Sequence, residues 1–107
     1  MVPTSDVLFR TLADPTRRAL FERLCRGGDQ TVTALTAQAG VSQPAVSKHL
    51  RVLREAGLVE GVRDGRAIVY SANLRALEPL ADWTREMRES WEARFDDLEH
   101  LLDRMDP

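Results

Sequence analysis

The sequence predicts a mainly α-helical fold with one small β-hairpin, arranged as a winged helix-turn-helix with a long C-terminal helix. Three features predict it. Helix signals stand on both sides of Gly40-Val41-Ser42, the spacing of a helix-turn-helix, whose connection is short and often contains glycine. Next, "LVEGVRDGRAIVYSA" holds two β-prone runs, Leu58 to Arg63 and Arg66 to Ala72, around Asp64-Gly65. Last, residues 79–105 carry apolar side chains three and four positions apart, the helical period.

The elements follow in order. Ser5 or Asp6 is expected to cap a short helix through Leu12, with Val7, Leu8 and Leu12 on one side. Asp14-Pro15 pairs an N-cap with proline at the first helical position. That helix runs to about Arg26, buries Leu20, Phe21 and Leu24, and stops at Gly27-Gly28. Thr31-Val32 reads as a short extended piece, and Thr33 as the cap of a brief helix holding Leu35 and Ala39. Gly40 supplies a left-handed stop.

Ser42 caps the second helix of the motif, which ends at Gly57 and turns Val46, Leu50 and Leu53, with Val41, to the core. Asp64-Gly65 reads as a two-residue type I′ connection, its tip flanked by Arg63 and Arg66. Asn73 reads as a cap, and Pro79 starts a helix reaching about Met105. The expected organisation is one domain over 1–107: helix-turn-helix about 33–57, wing about 58–72, last helix about 79–105.

Length and composition bound the function. A chain of 107 residues, 43% hydrophobic and 30% charged, suits a single soluble domain. No apolar run approaches the roughly 18 residues of a membrane span, and the start has no signal-peptide pattern. One cysteine leaves no internal disulfide and no multi-cysteine zinc site, so a reducing cytoplasm is the expected compartment. The net charge of −2 is unevenly spread. Residues 1–66 hold ten Lys/Arg against seven Asp/Glu, and residues 67–107 hold five Arg against ten Asp/Glu. A basic body with an acidic tail can still steer one face to phosphates.

The outward face of the Ser42–Ala56 helix then carries Ser42, Gln43, Pro44, Ala45, Ser47, Lys48 and Arg51. Short side chains in the first turns let a helix approach a major groove, Gln can bond a base edge, and Ser, Lys and Arg can hold phosphates. An ordinary solvated helix face has the same composition. The hairpin arginines Arg63 and Arg66 weigh towards DNA, because a wing beside a groove-reading helix is useful there. On the last helix Leu80, Trp83, Met87, Trp91, Phe95, Leu98 and Leu102, with Leu101 and Met105, form a stripe roughly 40 Å long. The small body cannot cover it, and a second copy of the chain is the expected partner.

With these residues in view, the chain resembles the ArsR-type (ArsR/SmtB) winged-helix transcriptional repressors. The likeness rests on "LADPTRRALFERL" (Leu12–Leu24), "VSQPAVSKHLRVLREAGLV" (Val41–Val59) and "GRAIVYSAN" (Gly65–Asn73), in that order and with the usual separations. It implies a homodimer that binds a pseudo-palindromic DNA operator and blocks transcription, with an effector, small-molecule or redox, weakening the grip. Ser42 to Arg51 then lie on the recognition helix and Arg63 to Arg66 on the wing.

The chain departs from the family's metal sensors. Where paired cysteines bind soft metals in those members, this chain reads "TVTALTAQAG", without cysteine. A second sensor type uses Asp and His on the last helix, and here only His100 with Asp103 stands there, too few for a four-ligand site. The resemblance therefore points to the subgroup without metal-binding cysteines. No metal and no cofactor is expected.

Cys25 beside Leu24 reads as a buried small residue. Its alternative is an oxidation-sensing thiol near Arg23 and Arg26, and a thiol-oxidation-responsive repressor acting through Cys25 is one alternative function. His49, without a partner motif, reads as a structural hydrogen bonder or a phosphate contact. No catalytic constellation is present, so no enzyme is expected. A winged-helix module that binds protein instead of DNA is the other alternative.

Overall fold

Each of the four short helices begins where one side-chain oxygen accepts a backbone N–H of the first turn. Thr4 does so for α1 (Ser5–Leu12), Asp14 for α2 (Pro15–Gly27), Thr31 for α3 (Val32–Ala39) and Ser42 for α4 (Gln43–Glu55). The acceptor distances lie between 3.0 and 3.3 Å. The remaining elements are β1 (Gln30–Thr31), β2 (Val59–Asp64), β3 (Ala67–Ala72), a 3-10 turn at Leu74–Leu77 and α5 (Glu78–Met105). This computed structural model describes residues 3–105; the two residues at each end of the expected domain lie outside it.

Two caps differ from expectation. Thr4, not Ser5 or Asp6, caps α1, which leaves Asp6 in the first turn, where its charge favours the helix N-terminus. Thr31, not Thr33, caps α3, because Thr31 ends β1 and is already extended at φ −80° and ψ 163°. β1 joins the hairpin to give an antiparallel sheet ordered β1-β3-β2, with Gln30 opposite Tyr70 and Thr31 opposite Val69.

The hairpin connection also slides by one residue, which shifts the cross-strand pairing by two. Asp64 pairs with Ala67 and Arg63 with Ile68, so Gly65-Arg66 is the connection and not Asp64-Gly65. Only Gly65 takes positive φ, at 63°, and glycine at the first central position is the type II′ pattern. A type I′ turn at Asp64-Gly65 would have forced Asp64 to positive φ as well. The register sets which face is buried. Val59 and Tyr70 turn inward, while Val62 stands exposed on the other face.

The core gathers Leu8 of α1, Leu20, Phe21 and Leu24 of α2, Leu35 of α3, and Val46, Leu50 and Leu53 of α4. Leu58, Val59, Tyr70 and Ala76 close it from the sheet side. Val41 is not part of it and stays 38% exposed. It sits in the turn ahead of the Ser42 cap, where helical periodicity no longer decides direction. α5 starts at Glu78, one residue before Pro79, and seats Leu80 against the core before projecting away.

Leu50→Ala should lower unfolding stability by about 2–5 kcal/mol, as a cavity in a fully buried site does. A urea titration checks this: the midpoint should fall with the slope unchanged.

Candidate nucleic-acid interface

The interface begins with the way α4 is stopped. Gly57 takes φ 79°, its N–H bonds the Arg54 carbonyl at 3.0 Å, and the Leu58 N–H bonds the Leu53 carbonyl at 2.9 Å. This is a Schellman stop, and Leu58 packs into the core with Leu53 as that motif favours. Asn73, expected as a cap, makes no side-chain cap bond. Its side-chain amide donates to the Gly57 carbonyl at 3.1 Å, and its N–H to the Leu58 carbonyl at 2.8 Å. The return end of the wing is thereby tied to the end of α4.

On the face of α4 away from Val46, Leu50 and Leu53, the side chains of Gln43, Pro44, Ser47, Lys48 and Arg51 are exposed, as is Ser42 at the cap. Ala45 is half-buried. The Ser42 hydroxyl already serves the helix by accepting the Ala45 N–H at 3.3 Å. Arg63 and Arg66 are exposed on the hairpin, Arg66 within the turn itself. Among the described residues none of Lys48, Arg51, Arg63 and Arg66 makes an ion pair. Arg54, exposed in the last turn of α4, adds a cation that the sequence reading passed over.

Three other arginines do structural work that sequence reasoning missed. Arg17 donates to the carbonyls of Thr11 (2.5 Å) and Arg10 (3.4 Å), and Arg18 to that of Leu12 (2.9 Å), closing the C-terminal end of α1. A cation a few residues past a helix end is the readable signal. Arg23 donates to the carbonyls of Leu35 (3.1 Å) and Gln38, locking α2 onto α3. Nothing in the local sequence announces that contact. The Arg17 N–H, at 3.0 Å, holds the Asp14 carboxyl below its ordinary pKa; partial desolvation opposes this and the charge of His49 assists it.

Cys25 is exposed, not buried. One position past Leu24 turns it about 100° from that side chain, to the solvent edge of the buried stripe of α2. Partial desolvation pushes its thiol pKa up, Glu22 adds to the rise, and Arg26 acts against it. Arg23 does not help, since its guanidinium is engaged by α3. Among the described residues no three His, Cys, Asp or Glu side chains are grouped to hold a metal, and no helix is long and apolar enough to cross a membrane.

An outward-facing polar helix, a tied hairpin wing and a helix-turn-helix core define a winged-helix regulator of the DNA-binding class. Comparison with known proteins agrees. A helix-turn-helix domain family matches residues 12–62. The chain is 34% identical over 76 residues to the transcriptional repressor SdpR of Bacillus subtilis, covering 71% of this chain and 83% of that one. It is 44% identical over 68 residues to the probable mercury resistance operon repressor of Streptomyces lividans, covering 64% of this chain but only 54% of that relative. An ArsR-like transcriptional regulator from Rhodococcus sp. RHA1 superposes with a TM-score of 0.75 at 31% identity, covering 90% of each chain. The chain belongs to the ArsR-type winged-helix family of DNA-binding transcriptional regulators.

Because its thiol pKa is raised, Cys25 should alkylate more slowly at neutral pH than a free cysteine peptide despite its exposure. The rate of iodoacetamide labelling against pH checks this, with the half-maximal point above that of the peptide.

Proposed function

We propose that this chain is a homodimeric, sequence-specific repressor whose two α4 helices read the half-sites of a pseudo-palindromic operator. The observation that carries the reading is the division of α4 into two faces. Val46, Leu50 and Leu53 are fully buried, while Gln43, Ser47, Lys48 and Arg51 are exposed and the two cations make no ion pair among the described residues. Gln43, in the first turn, is placed for a base edge, with Pro44 and Ala45 allowing close approach. Ser42, Ser47, Lys48 and Arg51 hold phosphates, and Arg63 and Arg66 reach the backbone beside the groove.

Two chains pair through the α5 stripe of Leu80, Trp83, Met87, Trp91, Phe95, Leu98 and Leu102, which sets the half-sites about 34 Å apart or at a multiple of that. An unidentified effector releases the operator by favouring a dimer geometry that no longer fits this spacing. The protein works in the cytoplasm without catalysis, cofactor or cysteine-bound metal.

Duplex binding measured against salt tests the reading. Affinity should fall steeply as salt rises and prefer one palindrome over random duplex; indifference to both would sink the proposal in favour of a protein-binding module. Arg51→Glu should weaken binding to all duplexes about tenfold or more and flatten the salt slope, whereas Gln43→Ala should cost about 1–3 kcal/mol of discrimination at one base pair. Trp91→Glu should shift light scattering of the full chain from dimer to monomer and weaken operator binding in parallel.

A further inference from the structure

The wing has a free edge. The sheet runs β1-β3-β2, so β2 pairs on one side only. Along an antiparallel ladder, residues bonded to the partner strand alternate with residues whose peptide groups point away from it. The Asn73 N–H bonds the Leu58 carbonyl at 2.8 Å, in register with the strands, which makes Glu60, Val62 and Asp64 the residues bonded to β3. The N–H and C=O groups of Val59 and Gly61 therefore point to the open side of β2. Among the described residues no backbone group outside the sheet bonds them. Val59 is only 1% exposed, and backbone groups so far from water are rarely left without a partner.

That open side faces a cavity of about 750 Å³ between β2, the stop of α4 and the start of α5. Its size is that of a small-molecule site. Two cations line it, Arg54 from the last turn of α4 and Arg75 from the 3-10 turn. Both are exposed, and neither makes an ion pair among the described residues. Glu60 and Glu78 line the same cavity without pairing with either arginine. Val62 and Ala76 add apolar surface.

Guanidinium groups and a peptide N–H are all donors, and a carboxylate is the acceptor that two such cations hold best. A second negative charge on the ligand would meet Glu60 and Glu78, while a short hydrocarbon body suits Val62 and Ala76. We infer that this cavity binds a small organic monocarboxylate, held by Arg54, Arg75 and the Gly61 N–H. The unidentified effector of the proposed repressor belongs to that class. The site stands on its own geometry, and only the effector role rests on the repressor reading. A carboxylate bound here joins the stop of α4, the wing and the seat of α5 at once, so its binding free energy bears on how those three are placed.

Hexanoate is the probe, titrated into the isotope-labelled full chain and followed by NMR. The amide signals of Val59 and Gly61 should shift most and saturate. Hexanol, with the same chain and no charge, and adipate, with a second carboxylate, should each bind about tenfold more weakly. Arg54→Gln and Arg75→Gln should each cost hexanoate a similar factor. Shifts that scatter over the surface or fail to saturate, or an equal response to hexanol, would overturn the site. Adipate binding as tightly as hexanoate would overturn the monocarboxylate assignment. At constant ionic strength made up with chloride, saturating hexanoate should weaken operator binding of the parent chain about fivefold and leave that of Arg75→Gln unchanged. Unaltered operator affinity with the site saturated would overturn the effector role. A parent chain that prefers no duplex would remove the repressor reading, whereas the NMR map decides the site by itself.

Discussion

Everything at the interface depends on how α4 is held by its buried face. Val46, Leu50 and Leu53 have no exposed surface and meet Leu20, Phe21 and Leu24 of α2 and Leu35 of α3 in one cluster. Full burial of each such side chain contributes about 1.5–3 kcal/mol. Turning the helix by one residue would put Ser47 into that cluster and expose Leu50, losing several kcal/mol at once. The azimuth of α4, and with it the outward set of Gln43, Ser47, Lys48 and Arg51, is therefore decided by packing on the opposite side.

Burial fixes rotation but not the angles between elements, and hydrogen bonds to helix-end carbonyls supply those. Arg23 locks α2 to the far end of α3, so the first helix of the motif cannot swing away from the body. The Gly57 stop and the Asn73 side chain join the end of α4 to both strands of the wing. Bonds from a charged donor, or within a half-buried junction, contribute more than exposed ones because water competes less. Gly61 serves the same junction: a Cβ there would stand 3.1 Å from both Ile68 Cγ2 and Tyr70 Cε1, so glycine lets the Tyr70 ring lie across the strand.

Local signals carried most of the architecture. Asp14-Pro15, Gly40 and Ser42 acted where the sequence placed them, because caps and left-handed stops depend on neighbouring residues alone. The stripe of α4 was legible for the same reason, since its period is a property of one helix. What was not legible depended on distant partners. Thr31 became a cap because pairing with Val69 extended it. The connection settled at Gly65-Arg66, where Gly65 alone takes positive φ. Cys25 was taken as buried from its residue type, and the rotation of α2 decided otherwise. The exposed face of α4 showed its residues in the sequence, but that its cations make no ion pair among the described residues emerged only in three dimensions.

α5 follows a different logic from the rest of the chain. The Cα radius of gyration is 19.9 Å, against about 13 Å for a compact chain of this length, and the longest extent is 75 Å. A helix of 28 residues that leaves Trp91 64% exposed has little of its own stripe to hold it straight. Most helical stability comes from packing an amphipathic face. Its order is thus tied to the second copy of the proposed dimer, and its stability to protein concentration. The same helix is continuous with the body: Ala76 is buried in the 3-10 turn, Leu77 and Leu80 pack on the core, and Phe9 meets Trp83. With no loop between that seat and the exposed stripe, the tilt of α5 on the seat would set the distance between the two α4 helices in the proposed dimer. A shift of even a few degrees, carried along a lever of roughly 40 Å, displaces the far end by about 2–3 Å. In the proposed repressor a displacement of that size would alter half-site spacing, so the seat of α5 is the packing contact to which operator fit would be most sensitive.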